Sequence, residues 1–524
     1  MLYLEKKHNA KQNAEILTQL HGGKIPLKKA LQETEEFFQQ CTEENIPPAP
    51  PTQKKQALSE KILSVLFRPL SSVSRLRTPS KPLVDSKGNV FPEWKEMLDK
   101  EYTLLMDHLT REVNVVDFGA VGDGRTDNTA AFKKAIGNGR VKVNVPEGIF
   151  IVKGICLPSW TCLVGAGKGK TIIKLHGTAP KGTRLVTNAN HWRGNHHLYV
   201  KGMSLDWNVE RLGNVPKTAT WGNHSSCLTF ANVTYGWVRG VEAINPGLHC
   251  FDITSTLYNY AGDGYRSRGG SSYIWLYNLN GYGFGDDGIT THHSEKILIS
   301  HSHMCDPSGR AHERGFSNSN GIEIDDGSRD IMLVNNSTAR CFGGVECKAH
   351  ENSSAAANVQ IIGHLSVNDN RSFNFRHIGH HKSTDNESKT AYNLLATNLA
   401  SIAPIYSDLY VDSTPRGLVV SAYKNVVINH FTLLGDPDYD YKGNPVIAIQ
   451  YRARKVILNQ INLSDFKKAG AGIKIYGGTN RADSVRVQNV VSKNSSSKAV
   501  EIVQGVQDVT VMNVKEFTEP ALKK

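Results

Sequence analysis

The sequence predicts an all-β fold, a right-handed parallel β-helix running from about Asn114 to the C-terminus and preceded by a smaller helical region. Three observations predict it. The chain has 524 residues, too many for one ordinary compact core, so a solenoid or several domains are expected. From about residue 198, paired aliphatic or β-branched residues recur at alternate positions, often beside Asn, from Ile274/Leu276 and Ile297/Ile299 to Val485/Val487 and Val509/Val511. Several successive pairs lie 23, 28, 30, 29 or 24 residues apart, near one coil of a β-solenoid, and the longer step of 34 from Ile297 to Ile331 contains the insertion Cys305–Ser317. Between residues 141 and 175, short strands are expected at Val141–Val145, Gly148–Val152, Thr161–Gly165 and Thr171–Leu175, punctuated by Gly and Pro. Irregular coil lengths and the lack of a blade signature argue against a sandwich or propeller.

The chain divides at about residue 112. Residues 1–112 read as a helical attachment or oligomerisation region. Pro26 is expected to open a helix at its first turn, with Ala30, Leu31, Phe37 and Phe38 at helical spacing. Ile46-Pro47-Pro48-Ala49-Pro50-Pro51 predicts a stiff extended linker. Further amphipathic helices are expected at Ala57–Leu66 and Trp94–Leu109, which could pair with copies of themselves or with a larger assembly. Residues 113–524 form the β-helix, opened by a short helix at AAFKKAI that Asp127 or Thr126 can cap.

Charge and composition narrow the function. The net charge is +12, of which residues 1–112 carry only +2. The basic field belongs to the β-helix and would attract a polyanion. No apolar run approaches the roughly 18 residues of a membrane span, and the N-terminus lacks the apolar core of a secretory signal. The eight cysteines show no CxxC pair or zinc spacing and read as reduced core thiols. Lys168-Gly169-Lys170-Thr171 lacks P-loop spacing, so no nucleotide site is expected; neither nucleic acid nor a membrane is among the expected partners.

Val113–Ile136, VNVVDFGAVGDGRTDNTAAFKKAI, resembles the entry segment of the pectin-lyase-like superfamily, found in polygalacturonases and phage tail-spike depolymerases. The resemblance runs from about Asn114 to the end. Later segments resemble the NTD, DD, GHG and RIK elements of polygalacturonases, the family 28 glycoside hydrolases. They read Gly262-Asp263-Gly264-Tyr265, Gly285-Asp286-Asp287-Gly288, Asn318-Ser319-Asn320-Gly321 and Glu346-Cys347-Lys348. The resemblance gives Asp263 and the pair Asp286–Asp287 the place of the family's catalytic acids, and Lys348 that of its lysine. Two departures stand out. Asn320 replaces the His of GHG, and Glu346 replaces the Arg of RIK, where an acid would repel a uronate. Pectin is therefore not the expected polymer.

Aligning Gly264, Gly288, Gly321 and Gly344 predicts stacked columns, since adjacent strands lie about 4.8 Å apart. Tyr265, Ile289, Ile322 and Val345 should face the core. Arg266, Thr290, Glu323 and Glu346 form the next column, and Arg268, His292, Asp325 and Lys348 lie two positions on, both on one outer face. A glycosidase needs one protonated acid and one ionised base or nucleophile. The catalytic candidates are Asp263, Asp286, Asp287, Glu323 and Glu346. Arg266, Arg268, His292, Asp325 and Lys348 are the substrate-binding candidates. No transition-metal site is expected, and no cofactor is required, although the clustered acids could hold Ca²⁺ or Mg²⁺.

The resemblance implies a virion protein of a phage tail, a tail-spike or appendage depolymerase that binds and hydrolyses a bacterial surface glycopolymer. Capsule, exopolysaccharide and wall teichoic acid all qualify, the last through a phosphodiester. It further implies a homotrimer attached to other tail or baseplate proteins through the N-terminal region. Two alternatives stay open: a non-enzymatic receptor-binding tail protein, and a cellular polygalacturonase-like hydrolase.

Overall fold

The computed structural model describes residues 2–42, 78–220, 224–256, 258 and 269–517. Strand follows strand in one right-handed parallel β-helix. Twelve parallel strands, from Ile155–Leu157 to Val500–Ile502, stack into one continuous sheet. Phe251–Thr254, Ile289–Thr291, Asn320–Ile324, Gly343–Ala349, Arg371–His377 and Arg416–Ser421 are consecutive members of it. The other walls come from long strands such as Ala357–Val367, Tyr392–Ile402 and Lys424–Leu434. All four short strands expected between residues 141 and 175 form with the expected bounds.

Each long strand bends near its middle at a residue in the left-handed region. In register, that corner passes from Gly202 through Gly240, Asn278, Asn335 and Asn398 to Asn513. Gly and Asn dominate because they tolerate positive φ at least cost. A second left-handed column contains Asn358, Asn393 and Asn425. Their side chains form a ladder, Asn393 donating to Asn358 at 2.8 Å and Asn425 to Asn393 at 3.0 Å. Each amide thus finds its partner on the neighbouring coil, as buried polar groups must.

The apolar pairs of the sequence are the core columns. Ile274, Ile297, Ile331 and Val359 stand in register on consecutive coils and are essentially inaccessible. The short helix Thr129–Ile136 closes the N-terminal end, with Phe132, Ala135 and Ile136 packed into this core. Its N-cap is Asn128, which makes no side-chain cap bond; the expected cap Asp127 lies one residue earlier and accepts from the Thr129 amide at 3.0 Å. All eight cysteines are free thiols, and all but Cys156 are buried.

Among the described residues, the helices before the β-helix form no separate core. Leu17 of Asn13–Leu20 packs with Leu365, Val367 and Ile402 of the wall. Phe38 of Leu27–Cys41 meets Leu395, Val427 and Ile457. Leu98 and Leu105 of Lys95–Asp107 meet Tyr199, Trp237 and Trp275. The faces expected to be free for pairing with another copy therefore lie against the chain's own β-helix. The proline-rich linker at 46–51 and the helix expected at Ala57–Leu66 lie outside the described residues.

Candidate functional site

Five neighbouring strands build the site. Phe251-Asp252-Ile253, Ile289-Thr290-Thr291, Ile322-Glu323-Ile324, Val345-Glu346-Cys347 and Phe373-Asn374-Phe375 stand in register. The flanking residues face the core, so strand alternation sends the middle residue out. His292, Asp325, Lys348 and Arg376 lie two positions further along, on the same face.

This register corrects the sequence alignment at its first coil. The strand beside Ile289–Thr291 is Phe251–Thr254, not the segment around Tyr265. Phe251 and Ile289 are 38 residues apart, so a search at a period near 24 passed over Asp252. The candidates Asp263, Arg266 and Arg268 lie outside the described residues. The outward columns also differ from the open surface expected. Glu323, Asp325, Glu346, Asp287 and His292 are all buried.

Asp286 and Asp287 sit among histidines. Asp286 lies 3.1 Å from His312 and 3.7 Å from His249, while Asp287 lies 3.4 Å from His249. Their environments push them apart. Burial alone would raise the Asp286 pKa, but His312 and His249 hold it well below the usual carboxylate range. Burial raises Asp287 well above that range, and the neighbouring charges of Asp286 and Glu323 raise it further. The surroundings thus favour an ionised Asp286 and a protonated Asp287.

A second cluster lies one coil on. Lys348 Nζ is 2.8 Å from Glu323 and 3.6 Å from Asp325. Despite its burial, these carboxylates keep the Lys348 pKa well above the ordinary value. Burial and the charge of Asp326 push Asp325 up to about 7. His292 stands between Asp252, at 3.6 Å, and Asp325, at 3.7 Å. Burial would lower its pKa, but those two acids hold it above the ordinary value. Tyr258 stacks on the His292 ring at 4.0 Å and donates to Asp326 at 2.9 Å. His350 lies 3.1 Å from Asp326. Asn320, at the place of the family's histidine, bridges the two clusters. Its backbone amide donates to Asp287 at 3.0 Å and its side chain donates to Glu323 at 2.7 Å.

Glu346 behaves differently from the repelling acid that the sequence suggested. Arg376, on the next coil, donates to it, as do Asn318 at 2.9 Å and Asn374 at 2.8 Å. Burial opposes its charge, but Arg376 and Lys348 hold its pKa below the ordinary value. Its charge is offset in place, so the argument from Glu346 against a uronate does not hold.

The structure therefore brings Asp286, Asp287, Glu323, Asp325, His292 and Lys348 together and ties Glu346 to Arg376. Sequence reasoning missed Asp252, His249, Asp326, His350 and Arg376. The apolar–polar–apolar triplets Phe251-Asp252-Ile253 and Phe373-Asn374-Phe375, matching Ile322-Glu323-Ile324, were the available signal for the two extra coils.

Residues 112–346 match the family model described as rhamnogalacturonase A/epimerase, pectate lyase-like. The protein YobO of Bacillus subtilis (strain 168), named as phage-related, is 52% identical over 83% of this chain and 54% of its own length. The pre-neck appendage protein of Bacillus phage phi29 is 43% identical over 77% of this chain and 46% of its own length. The chain thus spans about half the length of these curated relatives. The crystal structure of the phi29 gene product 12 N-terminal fragment superposes with a TM-score of 0.72 at 39% identity, over 80% of this chain and 69% of the fragment. The mannuronan C-5 epimerase AlgE6 A-module of Azotobacter vinelandii shares the fold, with a TM-score of 0.52 at 16% identity over 78% of this chain and 99% of that module. The chain belongs to the pectin-lyase-like parallel β-helix family, in the branch that includes the phage pre-neck appendage proteins.

Proposed function

We propose that this chain is the polymer-processing part of a phage appendage, which binds a bacterial surface glycopolymer and hydrolyses it during adsorption. The observation that carries this reading is the buried Asp286–Asp287 pair, with His312 3.1 Å from Asp286 and His249 3.4 Å from Asp287, in surroundings that push the two carboxyl pKa values in opposite directions. Asp287 donates its proton to the leaving oxygen. Asp286 takes a proton from the attacking water, whose oxygen joins the electrophilic carbon, or phosphorus in a phosphodiester polymer. Glu323, Asp325, His292 and Lys348 position the polymer on the adjoining coils. Lys348 is a poor base, because the surrounding carboxylates stabilise its proton. That favours hydrolysis over elimination. Lys348 already neutralises Glu323 and Asp325, whereas His249, Asp286 and Asp287 lie close enough together to hold a divalent ion; we propose that cleavage proceeds without Ca²⁺ or Mg²⁺. The polymer is capsule, exopolysaccharide or wall teichoic acid. The protein acts on the virion as a homotrimer at the host surface, attached to its neighbours through the N-terminal region.

The test is incubation with a panel of purified bacterial wall polymers, with and without EDTA, followed by mass analysis of the products. Water-added fragments are expected from one polymer, chelator or not. Asp287→Asn should cut at least a hundredfold more slowly, the scale of lost general-acid catalysis, while binding persists. Tight binding without cutting by the unaltered protein would make it a receptor-binding protein instead. Fragments with unsaturated ends would replace hydrolysis by elimination.

A further inference from the structure

Arg371 follows Asn320 and Gly343 in register on successive coils of the site sheet, and Arg416 follows it. Its guanidinium is partly buried, yet among the described residues its side chain makes no hydrogen bond or ion pair, and Nε is buried without a partner. Its neighbours behave otherwise. Arg376 donates to Glu346, and Arg416 donates to the Pro445 carbonyl at 2.8 Å and to Asn444 at 2.9 Å. Its own guanidinium carbon, that of Arg371, lies 5.6 Å from the centroid of the Phe342 ring. A partly buried cation without a hydrogen-bonding partner is costly, and here burial and the nearby Arg376 depress its pKa, with Glu346 opposing them and Arg416 adding to them.

Aromatic rings lead from this cation to the protein surface. Phe342 packs against Tyr410 at 5.3 Å, and Tyr410 against Phe316 at 6.4 Å. Tyr410 is 38% exposed and Phe316 56%. Two loops hold them together. Phe316 pairs with Tyr410 as an antiparallel bridge, and the amides of Ser317 and Val411 donate to Leu409 and Gly315, each at 2.8 Å. The loop that supplies Phe316 also supplies His312, the partner of Asp286. One structural unit therefore joins the acid pair to the aromatic rings and to Arg371. An exposed aromatic face stacks on the apolar face of a sugar ring, and a guanidinium binds a carboxylate or phosphate in a bidentate fashion.

We propose that Arg371, with the Tyr410–Phe316 platform, forms an anion subsite that takes a carboxylate or phosphate of the polymer while the platform carries the adjacent unit. This rests on the polymer-processing reading above and deepens it. The subsite recognises acidic polymers and sets the register in which a repeating unit reaches Asp286 and Asp287.

Three probes test this by calorimetry: an oligogalacturonate, an oligo(glycerol phosphate) and a neutral dextran oligomer. The unaltered protein should bind one acidic probe at least tenfold tighter than dextran, and which one it binds tells carboxylate from phosphate. Arg371→Gln should weaken that probe at least tenfold, the scale of a hydrogen bond to a charged group, and Tyr410→Ala should weaken it too. Arg371→Gln should melt no lower than the unaltered protein, since no protein hydrogen bond is lost. The acidic probe should raise the melting temperature of the unaltered protein but not that of Arg371→Gln. Equal binding of dextran, binding of neither acidic probe, or unchanged affinity in Arg371→Gln would each overturn the subsite. Cutting is read separately. A protein that binds through Arg371 but cuts nothing keeps the subsite and loses the hydrolase reading. One that cuts but ignores Arg371 does the reverse.

Discussion

His312 makes the protonation of Asp286 testable at a single residue. Asp286 is buried, and burial favours its neutral form; the imidazole 3.1 Å away is the largest influence opposing this. The Asp286 carboxylate in turn raises the His312 pKa. A carboxylate with a depressed pKa stabilises the fold above the ordinary carboxylate range, and that contribution is lost as pH falls through its folded pKa. If Asp286 must be ionised for cleavage, His312→Gln should raise its pKa and move the acidic limb of the pH–rate profile to higher pH. The alkaline limb belongs to Asp287 and should move less. His312 is 37% exposed on the side-chain scale, so the substitution leaves the core packing intact. An acidic limb that stays in place in His312→Gln would remove His312 from its positioning role, whatever happens to the rate.

At the scale of elements, the strands were legible because their signal is local. The apolar pairs alternate with period two and bury on one side; Ile331/Leu333 and Val359/Ile361 are in register, as read. The columns Thr290–Glu323–Glu346 and His292–Asp325–Lys348 follow from the same counting. What counting cannot supply is the length of an insertion. The segment between Thr254 and Ser272 lengthens one coil, and Asp252 and His249 were missed for that reason. Nor does one coil's sequence reveal a partner on the next, which is why Glu346 was read without Arg376. The N-terminal helices pose a similar problem. Their amphipathic faces were plain in the sequence, but an apolar face does not name what covers it. Leu98 is fully buried against the wall aromatics. Leu98→Ala leaves a cavity in that interface, at a cost of about 2–5 kcal/mol. Amide exchange in Lys95–Asp107 should then speed by tenfold or more, with the coils behind it unchanged. Equal protection in the variant would mean that the helix is held by other contacts.

At the largest scale, the first and last coils of the β-helix differ among the described residues. In a stack each coil is buried by its neighbours, so stability is set by nearest-neighbour contacts and the ends are weakest unless covered. At the N-terminal end Thr129–Ile136 supplies the cover. At the last described coil the core columns are more exposed. Val485 and Val487 are buried, but Val511, next in the Val487 column, is 37% exposed. The strand Val509–Phe517 pairs on one side with Asp483–Lys493 and, among the described residues, with no strand on its other side. Met512 and Phe517 are exposed as well. The candidate site lies several coils inside this edge, between Phe251 and His377. Opening that begins at the last coil must pass through the strands from Arg416–Ser421 onward before it reaches the acids. Hydrogen exchange on this chain should therefore show a gradient. Amides of Val509–Phe517 should exchange fastest among the strands, those of Asp483–Lys493 next, and those of Ile289–Thr291 and Asn320–Ile324 most slowly. Removing the apolar grip of the last coil with Val514→Asp should steepen the gradient at that end and leave cleavage intact. Uniform protection along the stack would mean that the coils open together, so that a loosened end coil would also loosen the acid cluster.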